Sequence, residues 1–417
     1  MSGLNRRQFL ARAALAGGTA FIPGALRADT GDGLDLLIRG GEVLDPSQQL
    51  RGRYDVGIRW GRIVRVEPAI PPEAARQVIE ANGHLVTPGL IDLHTHVYPL
   101  GSALGLPADE LAPYTATTTY VSAGDAGANN FGAFKHYMMA ASRSRMFAFI
   151  HISRMGLAGF PVGETLNIDY ADVDAAAKCV AENSDVVLGV KVRISRNVVG
   201  DNGLEPLRRA IRAAETSATG ARVMCHIGDA PGNLSTLLDM LRPGDVLTHS
   251  YSGAGNNIVQ NGKLLPAALE AKQRGVTIDV GHGGGSFDYT VAEPAIEQGL
   301  TPDTISSDIH ALSGNSPGMP YLPWVMSKFL NLGLSLQQVV ALATSAPAGV
   351  IDRIDKLGTL EVGAPADVSV LELVEEPVEF VDTKNNTRPG THWLKPLHVV
   401  RAGVPFGRPY PMPFTYR

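Results

Sequence analysis

The stretch LIDLHTHVYP, residues 90–99, runs apolar into two histidines separated by a single residue. Side chains alternate faces along a strand, so His94 and His96 project to one side while Thr95 points away. Two imidazoles then converge on one point, a geometry that suits a metal ion. A pair at this spacing also arises by chance in cores and on surfaces. The remainder of the chain decides between the two.

Downstream, apolar β-branched runs alternate with alanine-rich helical stretches, the pattern of βα units around a parallel sheet. Eight strand candidates stand out: LIDLHTH (90–96), TTTYVSAG (117–124), MFAFIHIS (146–153), VVLGVKVRI (186–194), RVMCHIG (222–228), DVLTHSYS (245–252), VTIDVGH (276–282) and TISSDIH (304–310). Helical stretches at 172–183, 204–217, 233–241, 263–274 and 335–345 fall between or after them. Eight is the number that closes a (β/α)8 TIM-like barrel, an α/β fold. The rival is an open doubly wound sheet with a G-x-G-x-x-G opening. GHGGGS at 281–286 lacks that spacing, so the barrel is the expectation.

Both flanks of this middle read as short strands separated by glycine and proline turns. LDLLIRGGEVLDP and RYDVGIRWGRIVRVEP lie before it, and GTLEVGAPADVSVLELV and PLHVVRAGVPF after it. The expected organisation is a barrel over 88–357 and a small β-sandwich domain made from both chain ends, 29–87 and 358–417. Residues 1–28 are set apart. NRRQFLARAALAGGTAFIPGALRA pairs Arg6 with Arg7, continues through Phe9 and Leu10, and closes on small residues, as a twin-arginine export signal does. Arg12, Gly17, Gly18 and Pro23 interrupt its apolar run, which disfavours a permanent membrane span. The expectation is therefore an exported or periplasmic protein that meets the twin-arginine export machinery and keeps no membrane span once mature.

The 417 residues are 44% hydrophobic and 18% charged, with a formal net charge of -5, an ordinary composition for a globular enzyme. No long basic run advertises nucleic acid or an anionic membrane, so small molecules are the expected partners; a homo-oligomer stays open. Cys179 and Cys225 provide no disulfide framework and read as buried, inert thiols.

Barrel enzymes place their chemistry at the carboxyl ends of the strands. There the first candidate strand carries His94 and His96, the fourth Lys191, the fifth His226, the sixth His249 and the eighth Asp308. Each alone is more simply structural: a satisfied core histidine, a snorkelling lysine, a capping aspartate. Together they require six coincidences at one end of one barrel. Alternation also nominates a layer nearer the mouth, in which Arg193 shares parity with Lys191, Tyr251 with His249 and His310 with Asp308. The run His282–Gly285 offers backbone N–H groups, including those of Gly283 and Gly284, as a cradle for an oxyanion or carboxylate. A plain flexible loop is the competing reading there. Arg154 and Arg196 read as surface charge.

At these residues the sequence resembles the amidohydrolase superfamily. TPGLIDLHTH is similar to its first-strand signature and GTLEVGAPADVSVLEL to its return into the small β domain, while GVKVRIS, CHIGD, THSYSG, DVGHGGGSF and SSDIH resemble a deacetylase- or dihydroorotase-like branch that includes hydrolases of acetylated 2-hydroxy acids. The resemblance implies two divalent metal ions, usually zinc. His94, His96 and Asp308 would hold one ion and His226 and His249 the other, with Lys191 bridging them as a carbamate formed with carbon dioxide. An ammonium beside two dications would be repelled, whereas a carbamate offers two anionic oxygens. It also implies that a hydroxide shared by the ions attacks an ester or amide carbonyl and that Asp308 carries the proton to the leaving group. The leading expectation is hydrolysis of a small acylated carboxylate, an O-acetyl 2-hydroxy acid or an N-acyl amino acid. A cyclic-amide hydrolase of the dihydroorotase or hydantoinase kind is the alternative, and a non-catalytic barrel scaffold the rival from another class.

Overall fold

The computed structural model describes residues 33–408, so the proposed leader over 1–28 lies outside the described residues. Strands β1 (Leu34–Asp45), β2 (Leu50–Arg59), β3 (Arg62–Glu67), β4 (Ala75–Glu80) and β5 (Leu85–Pro88) form the first flank. Next come the parallel strands β6 (Leu90–Thr95), β7 (Thr117–Gly127), β8 (Arg145–His151), β9 (Val187–Ile194), β10 (Arg222–Ile227) and β11 (Val246–Thr248). A small hairpin of β12 (Val259–Gln260) and β13 (Lys263–Leu264) precedes β14 (Thr277–Ile278), and β15 (Val368–Val381), β16 (Thr387–Arg401) and β17 (Val404–Pro405) close the described chain.

The middle strands pair in the order β14-β11-β10-β9-β8-β7-β6, all parallel. The eighth position belongs to residues 304–309, which form isolated parallel bridges rather than a ladder: Thr304 opposite Asp279 beyond β14, and Ile309 opposite Thr95 of β6. Bridges to both edges turn the curled sheet into a ring. Beneath it, the helix Ser345–Ile351 presents Val350 and Ile351 to Ile91, Leu93, Phe147 and Phe149, which fill the barrel floor. Burying each such side chain contributes roughly 1.5–3 kcal/mol.

Helices form where alanine-rich amphipathic stretches were expected, at Val173–Glu182, Glu205–Thr216, Leu234–Met240, Pro266–Gln273 and Leu336–Ala341. Asp172 caps the first by accepting from the Ala175 amide, and Ser335 with Gln338 makes a capping box on the last. The stretch expected to be helical from 263 starts three residues later, because Lys263 and Leu264 pair with the preceding strand and Pro266 can only open a helix. Helices at Ala108–Thr115, Tyr289–Glu297 and Leu322–Asn331 add to those expected. No helix among the described residues is long and apolar enough to cross a membrane.

The two flanks meet in one eight-stranded mixed sheet, ordered β17-β16-β15-β5-β1-β2-β3 with β4 paired to β1. Its separate core mixes Leu36, Ile38, Val43 and Val56 from one flank with Val368, Val370 and Val400 from the other. Asp45 joins them: its carboxylate accepts from Ser47 and Gln48 nearby and from Thr359 Oγ1 and the Leu360 amide of the distant segment.

Candidate active site

Six side chains meet at the carboxyl end of the ring. Asp308 Oδ1 lies 3.1 Å from His96 Nε2 and 3.3 Å from His94 Nε2. Lys191 Nζ sits 3.1 Å from His94 Nε2. The His226 and His249 rings stand edge to face with centroids 4.3 Å apart, and His249 lies 4.8 Å from His94. All six line one cavity of about 410 Å³. Asp308 adopts φ 49, a left-handed conformation secured when its amide donates to the His94 carbonyl.

The partners of the imidazoles determine which nitrogen faces the cavity. His96 Nδ1 donates to Asp125 Oδ1 at 2.9 Å, and that carboxylate also accepts from Ser102, Ser122 and the Val97 amide. His249 Nδ1 donates to the Gly281 carbonyl at 2.6 Å. His94 Nδ1 meets Thr248 Oγ1 at 2.7 Å, and His226 Nε2 meets Ser195 Oγ at 3.2 Å. Held this way, His94 and His96 both turn Nε2 toward Asp308 Oδ1, which is buried without a hydrogen-bond donor, and His94, with its proton on Nδ1, offers that oxygen a bare lone pair. Lone pairs facing a carboxylate oxygen need a cation between them. His94, His96 and Asp308 offer ligand atoms that all lie within 4.8 Å of one another, so the donor set fits a divalent metal.

The charge environment agrees. Burial lowers Lys191 to about 7, against the opposing pull of Asp308. Burial likewise pushes His249 down to about 4 and His94 and His226 well below the usual imidazole value. Burial also opposes charge on His96, but Asp125 on one side and Asp308 on the other raise it to about 9. That side of the cluster favours a positive charge. Burial disfavours ionised Asp308 too, yet the surrounding imidazoles, His94 first, hold its carboxyl well below the ordinary range.

The cavity wall is apolar at Leu104, Leu157, Phe160 and Leu312, with Arg193 as its cation. Arg193 points inward as expected, but its Nη1 is paired with buried Glu164, a partner the sequence reading did not anticipate. His310 and Gly284 also line the cavity. Three nominated residues do not. Tyr251 is fully buried outside it, donating its hydroxyl to the Leu300 carbonyl at 2.9 Å. The cause is His249, whose φ of 64 ends the strand alternation from which Tyr251 was placed. His282 is buried too, stacked on Phe287 with Nε2 accepting from Lys328 Nζ at 2.8 Å. Gly283 spends its amide on the Ser307 carbonyl and backs onto Asp308, where a Cβ would lie 2.3 Å from Oδ2 at a φ of 53. Its role is to make room for Asp308.

Asp125, Thr248, Asp279 and Glu164 escaped the sequence reading. Asp125 and Asp279 did leave a signal, since each is a carboxylate within a strand-like apolar run, and burying one is costly unless it is hydrogen-bonded. Cys179 and Cys225 are buried, with burial raising the thiols to about 11 and about 12. Arg154 and Arg196 pair with Asp172 and Asp229 at the surface.

A parallel ring carrying imidazoles, a lysine and an aspartate at its carboxyl end defines a metal-dependent hydrolase. Residues 285–401 match the model of the amidohydrolase family. A deacetylase of Agrobacterium fabrum is 35% identical over 342 residues, spanning 82% of this chain and 83% of that protein. Among solved structures, one of an adenine deaminase superposes with a TM-score of 0.82 at 29% identity, over 89% of this chain and 99% of that one. Another, of a dihydroorotase, gives 0.81 at 32% identity over 89% and 98%. The chain belongs to the amidohydrolase family.

Proposed function

We propose that this protein hydrolyses the ester or amide bond of a small acylated carboxylate, an O-acetyl 2-hydroxy acid or an N-acyl amino acid. The observation that carries the reading is the buried cluster of His94, His96 and Asp308 with Lys191 Nζ 3.1 Å from His94 Nε2, opening on a cavity that the Arg193 guanidinium also lines. The similarity to a protein named as a deacetylase supports the same class.

His94, His96 and Asp308 would hold one divalent ion and His226 and His249 a second, zinc being the metal that imidazole and carboxylate donors suit. Bound there, the ions would polarise the scissile carbonyl and make water a nucleophile at neutral pH. Lys191 would serve both ions as a carbamate ligand, formed when its neutral amine adds to carbon dioxide, making an N–C bond and releasing one proton. Its burial, which lowers it to about 7, keeps that amine available. Arg193 receives the substrate carboxylate on the edge of the guanidinium that Glu164 leaves free, while Leu157 and Phe160 shield the reacting bond from bulk water. Asp308 accepts the proton of the attacking water and returns it to the leaving oxygen or nitrogen. The leader over 1–28 would deliver the folded enzyme to the periplasm.

Cyclic-amide hydrolysis is the second reading, favoured by the likeness to the structure named as a dihydroorotase. Paired N-acyl and O-acyl substrates of both hands, assayed beside dihydroorotate on zinc-loaded protein, separate the two. Turnover of the cyclic amide alone would replace the first reading with the second.

A further inference from the structure

Beneath the cluster lies a carboxylate that touches none of its six members. Asp279 is fully buried just beyond β14. Three hydroxyls converge on it: Thr248 Oγ1 at 2.7 Å and Ser306 Oγ at 2.8 Å on Oδ2, and Thr304 Oγ1 at 2.7 Å on Oδ1. Ser306 Oγ is itself an acceptor from the Gly281 amide, so its one proton is committed to Asp279. Burial disfavours charge on Asp279 while the three hydroxyls favour it, and the ionised carboxylate they converge on accepts from all three.

A threonine hydroxyl has one proton. Thr248 spends it on Asp279, so toward His94 Nδ1, 2.7 Å away, its oxygen can only accept. His94 must then carry its proton on Nδ1 and present a bare Nε2 to Lys191 and Asp308. Asp279 acts here only through Thr248, because His94 Nδ1 is 4.0 Å from the nearer Asp279 oxygen, too far for a direct hydrogen bond; Lys191 Nζ, 3.1 Å from Nε2, favours the same tautomer from the other side of the ring.

The other two hydroxyls belong to the segment 304–309, which carries Asp308 and joins the sheet by isolated bridges instead of a ladder, with buried Asp92 holding Ser307 from the β6 side. We propose that Asp279 is the positioning residue of the metal cluster: through Thr248 it fixes the tautomer of His94, and through Thr304 and Ser306 it seats the segment that delivers Asp308. The proposal rests on the reading that this cluster holds metal, but its first half concerns a proton and is testable without any.

The test compares Thr248→Val, which keeps the shape and removes the hydroxyl, with Thr248→Ser, which keeps the hydroxyl, and with Asp279→Asn as a second disruption. Two quantities are read on each full-length, folded protein: the histidine side-chain nitrogen signals of the metal-free form, and zinc affinity by chelator competition. We expect His94 to be Nδ1-protonated in the parent and Thr248→Ser, and to mix tautomers in Thr248→Val and Asp279→Asn. Zinc affinity should fall about 10- to 100-fold in the latter pair, the usual effect of losing a partner behind a ligand, and stay within about threefold in Thr248→Ser. An unchanged tautomer in Thr248→Val and Asp279→Asn, or an equal loss in Thr248→Ser and Thr248→Val, overturns the proposal. A parent protein that binds no zinc while the tautomer responds as expected instead refutes the metal reading and leaves the relay standing.

Discussion

Glu164 meets Arg193 through one oxygen and one guanidinium nitrogen, and the carboxylate, not the cation, is the more deeply buried partner, at 1% against 18% side-chain exposure. Its second oxygen is buried without a hydrogen-bond donor. Glu164 thus anchors the guanidinium by one corner and leaves the other donors of this cavity-lining residue unspent on that carboxylate.

If those donors receive a substrate carboxylate, Arg193→Met should lower kcat/KM for carboxylate-bearing esters by about 10- to 100-fold, the worth of a charge-assisted pair, and leave neutral analogues within a few fold. Arg193→Lys should restore little, because Glu164 would claim the single ammonium. Equal losses on charged and neutral substrates would make Arg193 a structural residue.

Asp308→Asn is expected to keep most of the metal, since His94, His96 and the other ligands remain, while turnover drops by ~10²-fold or more for want of a proton acceptor. Steady-state kinetics beside elemental analysis measure both. Near-normal turnover at full metal content removes Asp308 from proton transfer.

Lys191→Ala should lose bound metal and activity together, and a small carboxylic acid added in solution should recover part of both by occupying the vacated space. Intact mass of the parent protein, measured under gentle conditions, should exceed the sequence mass by one carbon dioxide. An active, fully loaded parent bearing an unmodified lysine would falsify the carbamate.

Away from the site, Asp45→Ala strips a buried carboxylate from five donors, two of which, Thr359 Oγ1 and the Leu360 amide, tie the two flanks together. The cost should be about 3 kcal/mol, the upper range for hydrogen bonds to a charged group, read as a fall in thermal midpoint with the active-site metal still bound. A change below about 0.5 kcal/mol would mean that the β-sheet core alone holds the flanks together.

Much of this architecture was legible because it follows from period. Alternation within LIDLHTH, GVKVRIS and CHIGD put His94, His96, Lys191, Arg193 and His226 on the inner wall, and the count of eight apolar runs anticipated the ring. Alternation failed at His249, where the backbone turns left-handed; both Thr248 and His249 then serve the site and Tyr251 leaves it. Hydropathy carries no record of φ. Asp125, Asp279 and Glu164 were missed for a different reason: each works through a partner far away in the sequence, and pairing at that distance is a property of the fold.

The joining of both flanks in one sheet sets an order of events in folding. Val86 of β5 faces Val370 of β15, and the Leu360 amide that Asp45 receives lies 315 residues further along the chain. A ribosome-bound chain would expose β5 as an open edge until β15 had been made, because contacts so distant in sequence form late. Completion of that sheet thus waits on β15, and a chain truncated before β15 should be retained by chaperones or degraded.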